Sequence, residues 1–332
     1  MATASPLRVI QFGLGPIGSA IARHVCERPG LDLVGAVDIA PSLVGRDAGD
    51  VLGLGPLGFP VVSSLPECLA LTHADAVTHA TASYMDLFKG QIIEILEAGL
   101  HVVSTAEELS FPWLDHAADA REIDAAAKRA GRTALATGVN PGFLLDALPL
   151  TLTAICQRVD HISVARTIDA SARRGPFQAK IGAGMTVDAF QAKMAAGRMG
   201  HVGLRESMGM VFGTLGRSLT RVESHVEPIV ASKQIATEYY RVLPGQVMGL
   251  KQVAQGYEDG ECFVSFTFVA ALEVDEEADV IEISGVPPLR MVLKGTNGDL
   301  ATVAIIVNAI RNVVDAPTGL VCMRDLPLVT HW

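Results

Sequence analysis

The pattern of hydrophobic and polar positions in the first part of the chain changes repeatedly between one typical of buried strands and one typical of helices. Short continuous apolar runs, typical of buried strands, are followed by stretches with apolar residues at helical spacing. The predicted strands are 9–12, 31–37, 74–81, 101–105 and 133–137, and the predicted helices are 19–26, 85–98 and 111–130. Because strands that alternate with helices form parallel sheets, residues 1–142 are predicted to form an α/β domain, a doubly wound Rossmann domain.

The pattern changes after residue 143. Alternating β-branched runs follow one another without regular helices between them, at 163–168, 222–231, 237–242, 262–274 and 280–283. Helical stretches at 187–196 and 204–215 lie among these runs. Residues 143–300 are therefore predicted to form an α+β domain with a mostly antiparallel sheet. Helical spacing returns at 298–314, and we expect residues 301–332 to pack back on the Rossmann domain.

The composition narrows the classes of partner. The 332 residues include 36 Asp or Glu and 26 Lys or Arg, which gives a formal net charge of −10, and no basic run occurs that would favour nucleic acid. No apolar run reaches the roughly 18 residues that span a bilayer, and no charged and apolar leader opens the chain. We expect a cytoplasmic protein that binds neither nucleic acid nor membrane.

The cysteine and histidine positions argue against a metal site. The five cysteines are scattered at 26, 68, 156, 262 and 322 without a C-x-x-C pair, and the nine histidines show no H-E-x-x-H spacing. We therefore predict neither a disulfide framework nor a bound metal.

A glycine pattern follows the first predicted strand. Gly13, Gly15 and Gly18 form G-x-G-x-x-G, with Pro16 and Ile17 before the last glycine. In a dinucleotide site the first glycine permits a tight turn, the second lets the backbone approach a pyrophosphate, and the third lets helix and strand pack closely. The helix that follows presents its free N–H groups to the phosphates.

An acidic residue at the end of the second predicted strand completes the pattern. Asp38 lies twenty positions after Gly18, where a carboxylate accepts hydrogen bonds from the adenosine ribose. Because this carboxylate repels a 2′-phosphate, NAD(H) is the first expectation. Arg46 follows in the next loop and keeps NADP(H) as the alternative.

Three polar residues lie at predicted strand ends, where ligands bind in open parallel sheets. Thr81 and Ser83 follow the strand at 74–81 and are expected to line the nicotinamide half of the site, although Ser83 equally suits a helix cap. Asn140 follows the strand at 133–137 and is a candidate for the nicotinamide carboxamide or a substrate group. Its alternative is an ordinary Asn-Pro-Gly turn.

Two adjacent carboxylates follow the strand at 101–105. Glu107 and Glu108 lie in the segment STAEELSFPW, and only one of two neighbouring side chains is expected to point into the site. We favour Glu108 as the catalytic carboxylate. The alternative is a structural capping box between Thr105 and Glu108, although Ser110 before Phe111 and Pro112 is a better predicted helix start.

Five segments together resemble the native amine dehydrogenases, which are related to 2,4-diaminopentanoate dehydrogenase and share a dihydrodipicolinate reductase-like fold. They are GLGPIG, VDIAPSLVGRDAG, STAEELSFPW, ATGVNPGF and VNAIRNVVDAPTGLVCMRDLP. The resemblance implies NAD(P)H-dependent reductive amination of ketones or aldehydes with ammonia and the reverse deamination of amines. It also implies a homodimer built through the C-terminal substrate domain, and it assigns the essential glutamate to Glu108 or its neighbour.

The substrate stays open at this point. Paired histidines, followed by a lysine and a serine-glycine-threonine run, are typical of true dihydrodipicolinate reductases as this family resemblance implies. The chain lacks such a stretch, which argues against the lysine-pathway reaction. Apolar residues that suit a small uncharged carbonyl, with core packing as the alternative, are Phe143, Leu144, Phe177, Ile181 and Met185. The other hypotheses are a 2,4-diaminopentanoate or related amino-acid dehydrogenase and a non-catalytic NAD(H)-binding regulatory protein.

Overall fold

The computed structural model describes residues 5–196 and 199–332 and divides the chain into two compact units. The first unit comprises Met1–Phe143 with Asn297–Trp332, and the second comprises Leu144–Thr296. Residues 1–4, which belong to the segment that was examined for a leader in the sequence analysis, lie outside the described residues. Within the described ranges, no helix is long and apolar enough to cross a bilayer.

The bounds of the elements follow the chain order. The strands are β1 (Leu7–Phe12), β2 (Leu31–Val37), β3 (Val61–Val62), β4 (Ala76–His79), β5 (His101–Ser104), β6 (Thr133–Ala136), β7 (Arg158–Asp169), β8 (Arg221–Val230), β9 (Ile235–Ala236), β10 (Arg241–Val242), β11 (Val247–Glu258), β12 (Glu261–Ala271), β13 (Ala278–Val286), β14 (Leu289–Leu293) and β15 (Gly319–Val321). The helices are α1 (Pro16–Glu27), α2 (Ala48–Leu52), α3 (Leu65–Leu71), α4 (Met85–Glu97), α5 (Ala117–Ala130), α6 (Ala147–Thr153), α7 (Gly175–Lys180), α8 (Val187–Ala195), α9 (Leu204–Thr214) and α10 (Gly298–Asp315).

A seven-stranded parallel sheet forms the centre of the first unit. Its order is β15-β6-β5-β4-β1-β2-β3, so the strands run outward in two directions from β1. In doubly wound sheets, ligands bind beyond the carboxyl ends of the strands at such a switch point. The four residues of β4 are all buried, as expected for a strand covered on both faces.

The long helix α10 belongs to the first unit although it lies near the end of the chain. The Asn297 side chain caps its N-terminus by accepting the N–H groups of Asp299 and Leu300, each at 3.1 Å. One apolar face of the helix, which runs from Val303 to Val313, is buried, whereas Leu300 near its start is exposed. The helix packs against α1 and contacts β4, β5 and β6. The unit therefore joins the N-terminal residues to a segment more than half the chain away.

A six-stranded sheet forms the centre of the second unit. Its order is β14-β13-β7-β12-β11-β8, and only the β7–β12 pair is parallel among these neighbours. This architecture, with the parallel sheet of the first unit, confirms the predicted fold class.

Two predicted elements are wrong in extent. The helix predicted over 111–130 begins only at Ala117, because residues 111–115 form turns in which the His116 N–H donates to the Pro112 carbonyl at 2.8 Å. The strand predicted over 237–242 is a turn before β10. There the Thr237 hydroxyl accepts the N–H groups of Tyr239 and Tyr240, so the side chain takes donors that a strand would use.

A row of side chains that are polar except for Phe268 crosses the second sheet between two apolar clusters. Register places Gln252 opposite Phe268, Phe268 opposite Arg166, and Arg166 opposite Asp279. Arg166 Nε lies 3.6 Å from Asp279 Oδ1, and the two side chains are 2 % and 4 % exposed. Burial lowers the pKa of Arg166 and raises that of Asp279, while the charge of each partner opposes the shift of the other. The pair therefore carries a desolvation cost, which the attraction between the two charges and the hydrogen bonds of both side chains to Thr296 offset.

Asp279→Ala is expected to lower the free energy of unfolding by about 3–5 kcal/mol, because it removes the carboxylate that faces a buried guanidinium. Glu282→Ala on the same strand is the matched control. It breaks an ion pair with Arg290 whose partners are 62 % and 54 % exposed, and such pairs contribute at most about 1 kcal/mol. Urea denaturation measures both, and equal losses in the two variants would contradict the assignment of a buried pair.

Candidate cofactor and catalytic site

The glycine turn after β1 packs backbone against backbone. Gly13 has φ +91°, and a Cβ there would lie 2.4 Å from the carbonyl oxygen of Ala80 after β4. A Cβ on Gly18 would lie 1.9 Å from the carbonyl oxygen of Gly13. Neither position admits a side chain, so both glycines are required by the fold itself.

Gly15 differs from the other two glycines. A Cβ there would meet nothing within 4 Å, and its backbone is extended, with φ −62° and ψ −179°. The helix α1 begins directly after it at Pro16, and no side chain of the described residues caps this helix start. Ile17 is half-buried in the first turn. An open approach to uncapped N–H groups suits a pyrophosphate, and the residues present therefore fit a dinucleotide.

A buried amide supports the turn, and the sequence reasoning missed it. Gln11 Nε2 donates to the Gly13 carbonyl at 2.8 Å, and Gln11 Oε1 accepts the Thr78 hydroxyl at 2.7 Å. A polar residue inside an apolar strand was the available signal, since a buried amide needs partners for both of its ends.

Asp38 lies directly after β2 and binds the glycine turn. Its Oδ2 accepts the Leu14 N–H at 2.6 Å, and its Oδ1 accepts the Ala40 N–H at 2.8 Å. Each carboxylate oxygen keeps a second lone pair for a ribose hydroxyl. Arg46 is exposed in the loop that follows.

His79 at the end of β4 is the centre of a buried polar cluster. Its Nδ1 lies 2.9 Å from Ser104 Oγ, and its Nε2 lies 2.8 Å from Gln91 Oε1 and 2.9 Å from Thr81 Oγ1. Ser104 Oγ also accepts the Ala106 N–H at 3.0 Å. Burial lowers the pKa of His79 to about 4. A neutral imidazole thus connects the polar ends of β4 and β5, a role that no sequence pattern indicated.

The other predicted nicotinamide residues lie at neighbouring strand ends. The Ser83 carbonyl accepts the Glu108 N–H at 3.3 Å. The residue at the N-cap of α4 is Tyr84, whose side chain makes no capping hydrogen bond. Asn140 is buried after β6. Thr137, three residues earlier, has a buried hydroxyl without a hydrogen-bond partner among the described residues. A buried orphan of this kind suits a polar ligand group.

Glu108 lies in a short 3-10 helix, Glu107–Leu109, after β5. Its Oε2 accepts the Met85 N–H at 2.6 Å and lies 3.3 Å from His116 Nε2, and its side chain is 17 % exposed. The carboxylate therefore caps the N-terminus of α4. The capping box between Thr105 and Glu108 that the sequence suggested as an alternative is not formed among the described residues. The Glu107 side chain is half-buried and makes no hydrogen bond or ion pair with the described residues.

The five apolar candidates for a substrate pocket divide between the units. Phe143 is half-buried at the end of the first unit. Leu144 and Ile181 are buried in the second, and Phe177 and Met185 pack against the same apolar cluster as Ile181. These contacts favour the core-packing alternative for Phe177, Ile181 and Met185, because apolar neighbours cover Ile181 fully and the other two side chains in part.

The described residues contain no group of three or more His, Cys, Asp or Glu side chains that would hold a metal ion. All five cysteines are free thiols.

Two protein families match the chain over successive regions. Residues 143–332 match the 2,4-diaminopentanoate dehydrogenase C-terminal domain, and residues 7–105 match the dihydrodipicolinate reductase N-terminus.

Individual proteins match over nearly the whole chain. A 2,4-diaminopentanoate dehydrogenase from Acetoanaerobium sticklandii is 30 % identical, over 97 % of this chain and 94 % of that protein. An amine dehydrogenase from Streptomyces virginiae is 24 % identical, over 97 % and 96 %. The structure of an amine dehydrogenase from Mycobacterium smegmatis superimposes with a TM-score of 0.88 at 24 % identity, covering 100 % of this chain and 99 % of that one.

Gly15→Ala is expected to fold like the wild type and to bind NADH about tenfold to a hundredfold more weakly, because the new methyl group meets only the ligand. Gly18→Ala is the contrasting variant, since its Cβ collides with the Gly13 carbonyl and destabilises the unit itself. Thermal unfolding and NADH titration by calorimetry measure the two effects. A Gly15→Ala protein with unchanged NADH affinity would contradict the placement of the pyrophosphate.

His79 is expected to make the stability of the protein pH-dependent. Below pH 6.5 the unfolded chain protonates His79, whereas the folded chain does so only near pH 4, so stability falls as the pH decreases through this window. The slope is about 1.4 kcal/mol per pH unit for one such group. His79→Gln removes this contribution. Urea denaturation at several pH values should show a shallower decline in the variant, and parallel declines would contradict the assignment.

Proposed function

The chain belongs to the 2,4-diaminopentanoate dehydrogenase family, and we propose that it catalyses the NAD(P)H-dependent reductive amination of small ketones or aldehydes with ammonia. The reverse reaction is the oxidative deamination of primary amines. The resemblance drawn from the sequence motifs is confirmed, and the chain is an NAD(P)-dependent oxidoreductase that acts on CH–NH2 groups. This sets aside the hypothesis of a non-catalytic regulatory protein.

One observation supports the assignment more than any other. A carboxylate, Glu108, is fixed beside the segment 83–85 that follows β4, the strand next to the glycine turn. Nicotinamide is expected at this carboxyl edge. The bound cofactor supplies the hydride to carbon or accepts it, and the protein supplies the acid–base chemistry beside it.

The cofactor is NAD(H) or NADP(H). We assign its pyrophosphate to Gly13, Gly15 and Gly18 with the first turn of α1, and its adenosine ribose to Asp38. NAD(H) is the preferred form in this proposal, because Asp38 repels a 2′-phosphate, while Arg46 is placed to soften that repulsion. The residues Thr81, Ser83 and Asn140 are assigned to the nicotinamide half, together with the hydroxyl of Thr137.

Glu108 performs the proton chemistry in this proposal. Both of its protein contacts fall on Oε2, so we assign Oε1 to the reacting groups. That oxygen takes a proton from ammonium, which frees ammonia to attack the carbonyl carbon and form a carbinolamine. It then returns the proton to the carbinolamine hydroxyl, which leaves as water, and the regenerated carboxylate stabilises the cationic iminium. Hydride addition to the iminium carbon yields the amine. Glu107 is the alternative carboxylate for this role.

A second candidate substrate is 2,4-diaminopentanoate or a related amino acid, which the name of the A. sticklandii relative favours. We also propose a cytoplasmic homodimer, as the resemblance implies. The small uncharged carbonyl remains the first choice.

The decisive experiment follows NADH and NADPH absorbance with ammonium and a panel of ketones and aldehydes that includes cyclohexanone. A parallel series with NAD⁺ and a 2,4-diamino acid separates the two candidates. Ammonium-dependent oxidation of the reduced cofactor with cyclohexanone supports the first, and turnover confined to the diamino acid supports the second.

Glu108→Gln is expected to lower kcat by about a hundredfold or more, because the amide cannot accept the proton, while the Kd for NADH changes little. Glu107→Gln is the matched neighbour and should lose far less activity. Steady-state kinetics with calorimetric NADH titration measure both, and a larger loss in Glu107→Gln would transfer the role to Glu107.

A further inference from the structure

His116 lies between two carboxylates at the start of α5. Its Nε2 is 3.3 Å from Glu108 Oε2, and its Nδ1 is 3.8 Å from Asp119 Oδ2. The ring is 29 % exposed, so it contacts both Glu108 and solvent. Each ring nitrogen of histidine can bind or release a proton near neutral pH.

The outer carboxylate belongs to a charged cluster. Asp119 Oδ1 accepts a hydrogen bond from Lys89 Nζ at 2.7 Å, and Lys89 also pairs with Glu122. The hydrogen bond to Lys89, with smaller contributions from His116, lowers the pKa of Asp119, and Asp119 and Glu122 raise the pKa of Lys89. Asp119 therefore stays negative and anchors the imidazole. The charged groups near His116 include Glu108, Asp119, the adjacent Asp115 and, beyond Asp119, Lys89 and Glu122.

The reaction requires a proton route. One carbonyl, one ammonium ion, one proton and one reduced cofactor give one alkylammonium ion, one water and one oxidised cofactor. The forward direction thus consumes one net proton, and the reverse direction releases one. In this proposal Glu108 delivers that proton to the product nitrogen in the forward direction and accepts it in the reverse direction, so it exchanges one proton with solvent in each turnover.

We propose that His116 is the positioning residue of Glu108, which it holds by Oε2 and through which Glu108 exchanges its proton with solvent. This inference rests on the proposed role of Glu108. The proton passes between Glu108 Oε2 and His116 Nε2, and the Nδ1 proton exchanges on the Asp119 side. Oε1 is left to the substrate, so proton exchange does not displace the reacting groups.

The coupling is measured first without turnover. The ring of His116 is titrated by ¹⁵N NMR in the wild-type protein and in Glu108→Gln. Loss of the carboxylate beside Nε2 removes an interaction with one protonation state of the ring, so the ¹⁵N titration of His116 should differ between the two proteins. An unchanged midpoint overturns the proposal, whatever the activity of the protein is. If the wild type shows no turnover on any substrate, the proposed function fails, while this titration still decides whether the two groups share a proton.

Kinetics then separate holding Glu108 from moving its proton. His116→Gln keeps a donor to Glu108 but cannot carry a proton, and kcat should fall by about tenfold with little change in KM. In His116→Ala, added imidazole should restore part of kcat. The dependence of kcat on pH should change in both variants, because the residue that exchanges the proton of Glu108 with solvent is lost.

His24→Gln is the matched control. His24 has a similar exposure, 31 %, and a similar pairing, with Nδ1 3.6 Å from Glu27 Oε2, but it lies in the last turn of α1. Its replacement should leave kcat, the pH profile and the response to imidazole unchanged. Wild-type kcat and pH profile in His116→Gln would overturn the proton route.

Discussion

The close approach of the glycine turn to the end of β4 is the constraint on which the first unit depends. The backbone of Gly13 leaves no space for a Cβ beside the Ala80 carbonyl, and Gly18 leaves none beside Gly13. Because main chain packs directly on main chain, the first strand, the first helix and the fourth strand are fixed at one point. The polar residues at the strand ends then have defined positions relative to the start of α1, to which we assign the phosphates of the dinucleotide.

Much of this architecture was predictable because its causes are local. The glycine spacing, the apolar strands and the helical spacing each lie within a few residues, and they predicted the parallel sheet and the position of Asp38. The family followed from longer motifs such as STAEELSFPW. The helix predicted to begin at Phe111 was wrong because turns occupy that segment, and no local rule weighed those turns against the helical spacing.

The features that the sequence did not predict depend on distant partners. Gln11 acts through Thr78, which is 67 residues away, and His79 acts through Ser104, which is 25 residues away. The capping of α4 by Glu108 likewise joins residues 23 positions apart. A pattern read along the chain shows that a polar residue occurs in an apolar strand, but only the folded register shows what satisfies it.

The two hydrogen bonds of Asp38 have a consequence for engineering the cofactor preference. The usual route from NAD(H) to NADP(H) is to replace the acidic residue at the end of the second strand. Here that carboxylate also holds the Leu14 N–H inside the glycine turn, at 2.6 Å. A substitution at position 38 is therefore expected to loosen the glycine turn as well as to change the ribose contact that we propose for Asp38. The cofactor preference is better redesigned around Arg46, because its side chain is exposed and has no structural role in the glycine turn.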